Sequence, residues 1–265
     1  MATRLSIVLA NPQATFDAIG VSESDPMPLR RMIVVVLFAC VTTSVGPAHP
    51  QDADTLKLDG RTYRFDGIDA PEIDQLCLGA EGEVYPCGRV AAEALRRFVA
   101  DRPIRCIDLH PDPAYAKRRI GQCSVEGIDL HRWLVQEGWA LNFEPYAKGR
   151  FKIDEDDAQA GHFGLWKGCF VAPQDFRHWN KRTAKLLGAN CSEGAREKLF
   201  PDNAQMPAGC EIKGKYVLRA YPSLGIYHLP GCGSYRRTVK SDRWFCSEDD
   251  ALAAGFRKSY TCGWW

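Results

Sequence analysis

Cysteine is the residue that most constrains the fold of this chain. Ten of the eleven cysteines follow residue 70, and they are spread along the sequence between Cys77 and Cys262. An even number of well-separated cysteines is typical of disulfide-bonded proteins from oxidising compartments. No Cys-x-x-Cys motif, the usual sign of a redox-active pair, occurs in the sequence. The cysteines therefore predict a fold held together by disulfides outside the cytosol.

The order of the cysteines predicts how they pair. Cys77 and Cys87 bracket a short loop, Cys106 and Cys123 lie on two segments expected to be neighbouring strands, and the next pair would fix the exit from that region. Each such disulfide typically contributes about 2–4 kcal/mol to stability. The expected pairs are Cys77–Cys87, Cys106–Cys123, Cys169–Cys191, Cys210–Cys246 and Cys232–Cys262.

A zinc site is the alternative for the last four cysteines. His228, Cys232, Cys246 and Cys262 supply one histidine and three cysteines, which is a zinc-binding set. The Tyr-His-x-Pro-x-Cys string that contains His228 and Cys232 faintly resembles the metal-binding module of DNA-repair alkyltransferases. Because Cys210 makes the number even and exported thiols normally oxidise, two disulfides are the preferred interpretation.

The N-terminal segment resembles a secretion signal. Arg30-Arg31 precedes the apolar run Met32–Ala39, and Gly46 and Ala48 are small residues at a suitable cleavage position. We expect cleavage after Ala48 and a periplasmic or secreted mature protein, with residues 1–26 upstream of the true start. A buried strand or helix and a lipid-modified Cys40 are the alternatives. The apolar run is too short to span a bilayer comfortably, and no transmembrane segment is expected in the mature chain.

Three regions follow the predicted signal in residues 1–48. Residues 49–182 form the first: a hairpin around Asp59-Gly60, then strands and helices in alternation. Residues 183–209 have little periodicity and are predicted to be a linker. Residues 210–265 form a small disulfide-rich α+β unit. Its expected elements are strands at 216–219, 226–228 and 243–245 and a helix from Ser247, which begins a capping box, to Gly255.

Within residues 49–182 the pattern favours a β-rich α+β fold. Short strands, a hairpin and flanking helices are compatible with an OB-like five-stranded Greek-key barrel. The net charge of the whole chain is only +1, so a phosphate-binding site would have to be basic locally. The expected elements after the hairpin are helices at 88–99, 128–137 and 154–162, and strands at 105–109, 118–125 and 139–143.

Carboxylates gather beside an arginine near the hairpin. Asp54 precedes the first hairpin strand, Arg64 lies on the second, and Asp69 and Glu72 follow around Pro71. Alternation on that strand predicts that Arg64, Asp66 and Ile68 share one face. Carboxylates held this close repel one another unless a cation binds them, and hard cations prefer such oxygen ligands. The plain alternative is a solvated polar turn, because Asp, Pro and Glu are common turn residues.

The exact string resembles a known family. Asp52-Ala-Asp-Thr-Leu56, followed by Arg64-Phe-Asp-Gly-Ile-Asp-Ala-Pro-Glu72, is similar to the signature of staphylococcal nuclease-like proteins (thermonucleases). Arg118-Arg-Ile-Gly121, Leu130–Gly138 and Gly164-Leu-Trp166, with Phe170, Pro173 and Arg177 beyond it, also resemble parts of that family. The resemblance covers residues 52–180.

This resemblance implies a site and an activity. Asp54, Asp69 and the backbone carbonyl of Ala70 would bind Ca²⁺, and Glu72 would orient or deprotonate a water molecule. Arg64 and Arg118 would bind the scissile phosphate, because guanidinium groups hold phosphate oxygens bidentately without losing their charge. The implied protein is an exported calcium-dependent nuclease that hydrolyses DNA, with RNA as the second candidate substrate. No stable protein partner is indicated.

Three departures from the family pattern keep a second function open. Ala53 replaces a glycine, Tyr115-Ala-Lys-Arg118 carries one extra residue, and the expected first strand is missing before Asp52. The extra residue makes Arg119 and Lys117 the alternatives to Arg118. The alternative function is a catalytically weak protein of the cell envelope that binds nucleic acid or another polyanion. From Cys210 onward the chain has nine Lys/Arg and five Asp/Glu, which suits either a unit that docks a polyanion or merely a solvated basic face.

Overall fold

The computed structural model describes residues 43–262 except 180, 202–204, 207, 218–219, 221–222 and 239. The strands are β1 Thr43–Gly46, β2 Ala48–Pro50, β3 Thr55–Leu58, β4 Arg61–Phe65, β5 Ile68–Asp69, β6 Cys77–Leu78, β7 Val84–Tyr85, β8 Ile104–Pro111, β9 Arg118–Val125, β10 Ile128–Asp129, β11 Leu141–Asn142, β12 Phe170–Val171, β13 Leu186–Leu187, β14 Ile212–Tyr216, β15 Gly225–His228, β16 Arg243–Phe245 and β17 Phe256–Lys258. The helices are α1 Cys87–Val99, α2 Leu130–Gln136, α3 Glu144–Ala147, α4 Lys152–Ala160, α5 Pro173–Arg177, α6 Ala195–Leu199 and α7 Glu248–Ala253, with a 3₁₀ turn at Gly164–Lys167.

The fold is a β-rich α+β arrangement around a nearly closed, barrel-like sheet. Its strand order is β1-β8-β9-β4-β3-β2, and β10 pairs with β9. All of these pairs are antiparallel except β4 with β9, which run parallel. None of the helices in the described ranges is long and apolar enough to cross a membrane.

The hairpin between β3 and β4 agrees with its sequence signal. Asp59 and Gly60 both have positive φ, at 50° and 75°, as a two-residue hairpin turn of this type requires. Leu56, Leu58, Tyr63 and Phe65 from the two strands are all buried in the core. Arg64 lies on the opposite face of β4, which begins the functional site.

The predicted common face of Arg64, Asp66 and Ile68 is wrong. Strand β4 ends at Phe65, and Gly67 turns the chain with φ of 76°. Alternation is lost at this turn, so Ile68 enters the core. Asp66 instead pairs with Arg150, 2.6 Å from Oδ2 to Nη2.

The segment before Asp52 contributes two strands. Strand β1 pairs with β8, with Thr43 opposite Ile107, and β2 pairs with β3. Strands are therefore present before Asp52, where the sequence indicated none. Residues 1–42, which include most of the predicted signal and Cys40, lie outside the described residues. Cleavage after Ala48 would remove β1 from the sheet.

The segment predicted to be a linker, 183–209, packs into the protein. It contains β13, which pairs with β12, and helix α6. Its apolar side chains form a small core with residues of the preceding region. The members of this core are Leu78, Cys169, Val171, Phe176, Ala184, Ala195, Leu199 and Phe200.

The C-terminal region has its own sheet and core. The strand order is β16-β14-β15-β17, and Ile212, Tyr227, Phe245 and Phe256 pack beneath helix α7. The Ser247 side chain accepts a hydrogen bond from the Asp250 backbone, as the capping box predicted. Strand β17 was not predicted. This sheet and the barrel belong to one compact unit.

Five disulfides cross-link the described part of the chain. They are Cys77–Cys87, Cys106–Cys123, Cys169–Cys191, Cys210–Cys246 and Cys232–Cys262, which are the pairs expected from the sequence. The zinc alternative is contradicted because Cys232, Cys246 and Cys262 are all oxidised.

Candidate active site

The end of the β3–β4 hairpin brings two aspartates onto one arginine. Arg64 Nη2 lies 2.9 Å from Asp69 Oδ1 and 3.1 Å from Asp54 Oδ2. Asp54 also accepts hydrogen bonds from the Ala70 backbone N–H, at 3.0 Å, and from the Thr55 hydroxyl. Both aspartates are almost fully buried. Their positions are therefore fixed by the backbone as well as by Arg64.

The turn before β3 forms with Ala53 in place of a glycine. Its methyl group is fully buried in the barrel core, and its φ is not in the left-handed region. The Asp52 carboxylate accepts a hydrogen bond from the Asp54 N–H at 2.9 Å. The turn before β3 thus has a side-chain hydrogen bond of its own, and a residue with a β-carbon fits at position 53.

Glu72 lies in a tight turn that Gln75 and α1 support. The Glu72 carbonyl accepts from the Gln75 N–H at 2.7 Å, and the buried Gln75 side chain donates to the Val171 carbonyl at 2.8 Å. Gly88, in the first turn of α1, approaches so closely that a β-carbon there would lie 1.8 Å from the Glu72 carbonyl oxygen. The disulfide Cys77–Cys87 ties the same helix end to the chain after the turn.

Two further arginines hold the Glu72 carboxylate. Arg177 Nη1 donates to Glu72 Oε1 at 2.9 Å and to Asp69 Oδ1 at 2.7 Å. Arg243 Nη2 donates to Glu72 Oε2 at 3.2 Å. Arg177 therefore links Asp69 to Glu72, and each oxygen of Glu72 has its own guanidinium partner.

The charges around Glu72 alter its ionisation. Burial alone would raise the pKa of Glu72, but Arg177 and Arg243 outweigh burial and lower that pKa to about 2. The pKa of Asp52 moves the other way. Burial raises it well above its usual value, and the neighbouring carboxylates of Asp54 and Glu72 raise it further.

Arg118 faces the same space but has another partner. In the β4–β9 pair, Arg118 lies opposite Thr62 and Arg64 lies opposite Ile120, so both arginines project from one face of the sheet. Arg118 Nε donates to Asp112 Oδ2 at 2.7 Å. Both arginines line a cavity of about 590 Å³ whose wall also includes Lys57, Arg96, Tyr115, Arg177 and Arg243.

The two alternatives to Arg118 have different surroundings. Arg119 is paired with Asp108, 2.8 Å from Nε to Oδ1, and does not line this cavity. Lys117 lies at the cavity's edge, is mostly exposed, and approaches Asp249 at 3.8 Å. Of these three residues, Arg118 is the one that is buried and lies on the same face of the sheet as Arg64.

Sequence reasoning located the centre of this cluster but assigned no role to Asp52, Asp74, Arg177 or Arg243. Asp54, Arg64 and Asp69 are joined by direct contacts, Ala70 contributes its N–H to Asp54, and Glu72 is linked to Asp69 through Arg177. Arg177 was noted only as part of the family resemblance, and Arg243 only as part of a strand. Arg243 stands between Asp242 and Trp244 in the sequence and gives no local signal of its role, because its partner lies 171 positions away at Glu72.

The cluster is rich in carboxylates. Five carboxylates (Asp52, Asp54, Asp69, Glu72 and Asp74) surround three guanidiniums (Arg64, Arg177 and Arg243), which leaves a formal charge of −2 when all are ionised. Carboxylate oxygens are the ligands that Ca²⁺ prefers. Among the described residues, no group of three or more His, Cys, Asp or Glu is already arranged around a metal position. Arginines lie between the acids instead.

Comparison with known proteins gives one relative to report. The chain is 34% identical over 125 residues to the succinoglycan biosynthesis protein ExoI of Rhizobium meliloti (strain 1021). The match covers 46% of this chain and 64% of the relative, so less than two thirds of the relative's length is represented. No family model matches the chain.

Proposed function

We propose that this protein is an exported, calcium-dependent nuclease that hydrolyses phosphodiester bonds in DNA, with RNA as the second candidate substrate. The proposal includes its assignment to the staphylococcal nuclease-like family and an OB-like five-stranded Greek-key topology for the barrel. One observation carries it: Asp54, Arg64, Asp69 and Glu72 form a connected cluster beside a cavity lined by basic side chains. The family resemblance implied these four residues together with Ala70 and Arg118.

The residues divide into groups that bind phosphate and a group that handles water. Arg64 and Arg118 project from the same face of the sheet. They would bind the non-bridging phosphate oxygens, which gain negative charge in the transition state. Glu72 would hold the attacking water. The water oxygen forms the new bond to phosphorus and the bond to the leaving oxygen breaks. The water proton passes to solvent or Glu72, and the leaving oxygen takes up a proton from solvent to become a hydroxyl. Asp54, Asp69 and the Ala70 carbonyl would bind Ca²⁺, which supplies Lewis-acid stabilisation when bound.

The state of Glu72 defines its part in this reaction. A carboxylate with a pKa of about 2 is a weak base at neutral pH. It nevertheless stays fully ionised and keeps acceptor positions beyond those used by Arg177 and Arg243, because a carboxylate has about four lone-pair sites. Orientation of the water is therefore its main contribution, and proton removal is secondary.

The disulfides support a location outside the cytosol. Five oxidised pairs in the described chain suit a periplasmic or secreted protein, because reducing systems keep cytosolic thiols reduced. A relative named for succinoglycan biosynthesis also fits a protein of the cell envelope.

A second candidate is a polyanion-binding protein of the envelope with little or no turnover. The observation that favours it is the engagement of both Glu72 oxygens by arginines, which lowers the basicity of the group that handles water. The relative named for succinoglycan biosynthesis is also compatible with a role other than nucleic-acid cleavage. The same basic cavity would then bind a polyanion without cutting it.

Plasmid DNA separates the two candidates. The purified protein is incubated with plasmid in calcium or in excess chelator, and binding is followed in parallel by anisotropy of a labelled oligonucleotide. A nuclease nicks the plasmid only with calcium, and Glu72→Gln lowers the rate by about 100-fold or more. Glu93→Gln, which changes an exposed carboxylate of α1, is the matched control. Binding without cleavage in calcium supports the second candidate, and equal cleavage with chelator removes the metal from the mechanism.

A further inference from the structure

Arg243 is the largest fully buried side chain among the described residues, and it belongs to the C-terminal sheet. It lies on β16, is 1% exposed, and is enclosed between the rings of Phe176 and Phe245, whose centroids are 4.9 and 5.1 Å from its guanidinium carbon. A charge in such surroundings is costly unless it is paired and hydrogen-bonded. The groups that pair with Arg243 therefore indicate its role.

Both acidic partners of Arg243 come from the turn that carries Glu72. Arg243 Nε donates to Asp74 Oδ2 at 2.7 Å, and Nη2 donates to Glu72 Oε2 at 3.2 Å. The next residue on β16 adds a backbone bond, from Trp244 N–H to the same Asp74 oxygen at 3.0 Å. The strand is thus fixed to this turn by side chain and backbone together.

This contact determines how Glu72 is oriented. Arg177 holds Oε1 from helix α5, and Arg243 holds Oε2 from the C-terminal sheet. With one oxygen held, the carboxylate could still rotate about its last bond. With both held from different elements, the plane of the carboxylate is fixed, and its remaining lone pairs point in set directions.

The C-terminal sheet also encloses the cavity beside Glu72. Phe245, Cys246 and Ser247, together with Asp249 and Asp250 from the start of α7, line the same space as Arg64 and Arg118. Asp249 reaches the Tyr115 hydroxyl on the loop before β9, at 2.5 Å. A separate docking module would have no need to contribute buried contacts at this position.

We infer that Arg243 is a positioning residue for Glu72 and that the C-terminal sheet is an integral part of the active site. This inference rests on the proposed function and extends it. Its donors are engaged by Asp74 and Glu72, so its role is assigned to Glu72 and not to the phosphate. It acts by holding Glu72 in the orientation in which that carboxylate binds water.

The test is a double-mutant comparison of oligonucleotide cleavage, with kcat and KM measured separately. Arg243→Ala in the full chain should lower kcat by about 100-fold, comparable to loss of one preorganised polar contact, and leave KM within about twofold. In a Glu72→Gln background the same change should lower kcat by less than about threefold, because the group it positions is already altered. Arg257→Ala, on the neighbouring strand β17 of the same sheet, is the control and should match the parent protein.

Arg243→Lys is a second variant, measured in case Arg243→Ala does not fold. Lysine keeps the charge but cannot donate to Glu72 and Asp74 together as a fork, so kcat should lie between that of the parent and that of Arg243→Ala, with the thermal midpoint preserved. An equal fall in kcat in both backgrounds, or kcat near the parent value in folded Arg243→Ala, overturns the inference and leaves the proposed nuclease intact. Absence of calcium-dependent cleavage in the parent and the Arg257→Ala control overturns the proposed function, and the inference with it.

Discussion

Gly88 leaves room for the backbone of Glu72. A β-carbon at Gly88 would lie 1.8 Å from the Glu72 carbonyl oxygen and 3.0 Å from the Ile73 α-carbon. The first turn of α1 therefore packs directly on the turn that carries the candidate catalytic carboxylate. Because of this close approach, position 88 has no room for a β-carbon. Glycine is therefore required there, although helix propensity alone would favour alanine.

Gly88→Ala should therefore destabilise the fold and impair the site. Displacing backbone to admit a methyl group typically costs about 1–3 kcal/mol, and the shift would fall on Glu72. We expect a lower midpoint in thermal unfolding and a lower kcat for DNA cleavage. Gly233→Ala is the control, because nothing lies within 4 Å of a β-carbon there and its φ is not positive. Equal stability of the two variants would show that the turn can move away from α1.

Arg118 and Arg119 provide a test of the strand assignment. Arg118 lies in the cavity with Arg64, whereas Arg119 pairs with Asp108 and lies outside it. We expect Arg118→Ala to lower kcat/KM for DNA cleavage by about 100-fold to 1,000-fold, the range for loss of one transition-state contact. Arg119→Ala should stay within a few-fold of the parent. The reverse result would move the phosphate-binding role to Arg119.

His131 makes the stability of the barrel depend on pH. It is buried beside Phe65, its Nε2 accepts from the Cys123 N–H at 2.9 Å, and its Nδ1 lies 2.9 Å from the Asp66 carbonyl. The ring is therefore neutral, with the proton on Nδ1. Burial lowers its pKa below the usual value of 6.5. Protonation at Nε2 would place two N–H donors against each other.

The sign of this effect follows from the lowered pKa. In the unfolded chain His131 binds a proton near pH 6.5, whereas burial opposes this in the folded chain. The contribution of neutral His131 to the free energy of unfolding is therefore complete above pH 6.5, and it is lost as pH falls from there through the folded pKa. The free energy of unfolding should decline by up to about 1.4 kcal/mol per pH unit in that range. Urea denaturation of His131→Gln should show a flatter pH dependence, and exposed His49→Gln should not. A parallel slope in His131→Gln would assign the pH dependence to other groups.

The local elements of this fold could be predicted because their signals are local. Asp59-Gly60 requires the positive φ values that it adopts, and the apolar spacing of 88–99 matches the buried face of α1. The site residues Asp54, Arg64, Asp69 and Glu72 lie within 19 positions, so one hairpin and one turn suffice to bring them together.

The rest depends on contacts between distant parts of the chain. Arg177 reaches Asp69 across 108 positions, and Arg243 reaches Glu72 across 171. Nothing in the alternation of β16 distinguishes an arginine that enters a buried cluster from one that faces solvent. The packing of 183–209 was missed for a similar reason, since its apolar residues are few and their partners, such as Phe176 and Leu78, lie outside the segment.

The disulfides link the compartment, the stability and the activity of this protein. With the five described pairs formed, the protein denatured without reductant should show no free thiol from Cys77 onward and no stoichiometric zinc.

Reduction should lower the thermal midpoint markedly. Each cross-link restrains the unfolded chain, which contributes about 2–4 kcal/mol to stability, and the paired cysteines are 10 to 36 positions apart in the sequence. The proposed chemistry uses no thiol, so cleavage should persist after reduction at temperatures where the fold survives. Thiol titration, metal analysis and thermal unfolding measure these outcomes. Four reactive thiols with one bound zinc per chain would contradict the Cys210–Cys246 and Cys232–Cys262 pairs and restore the metal-site alternative built on His228.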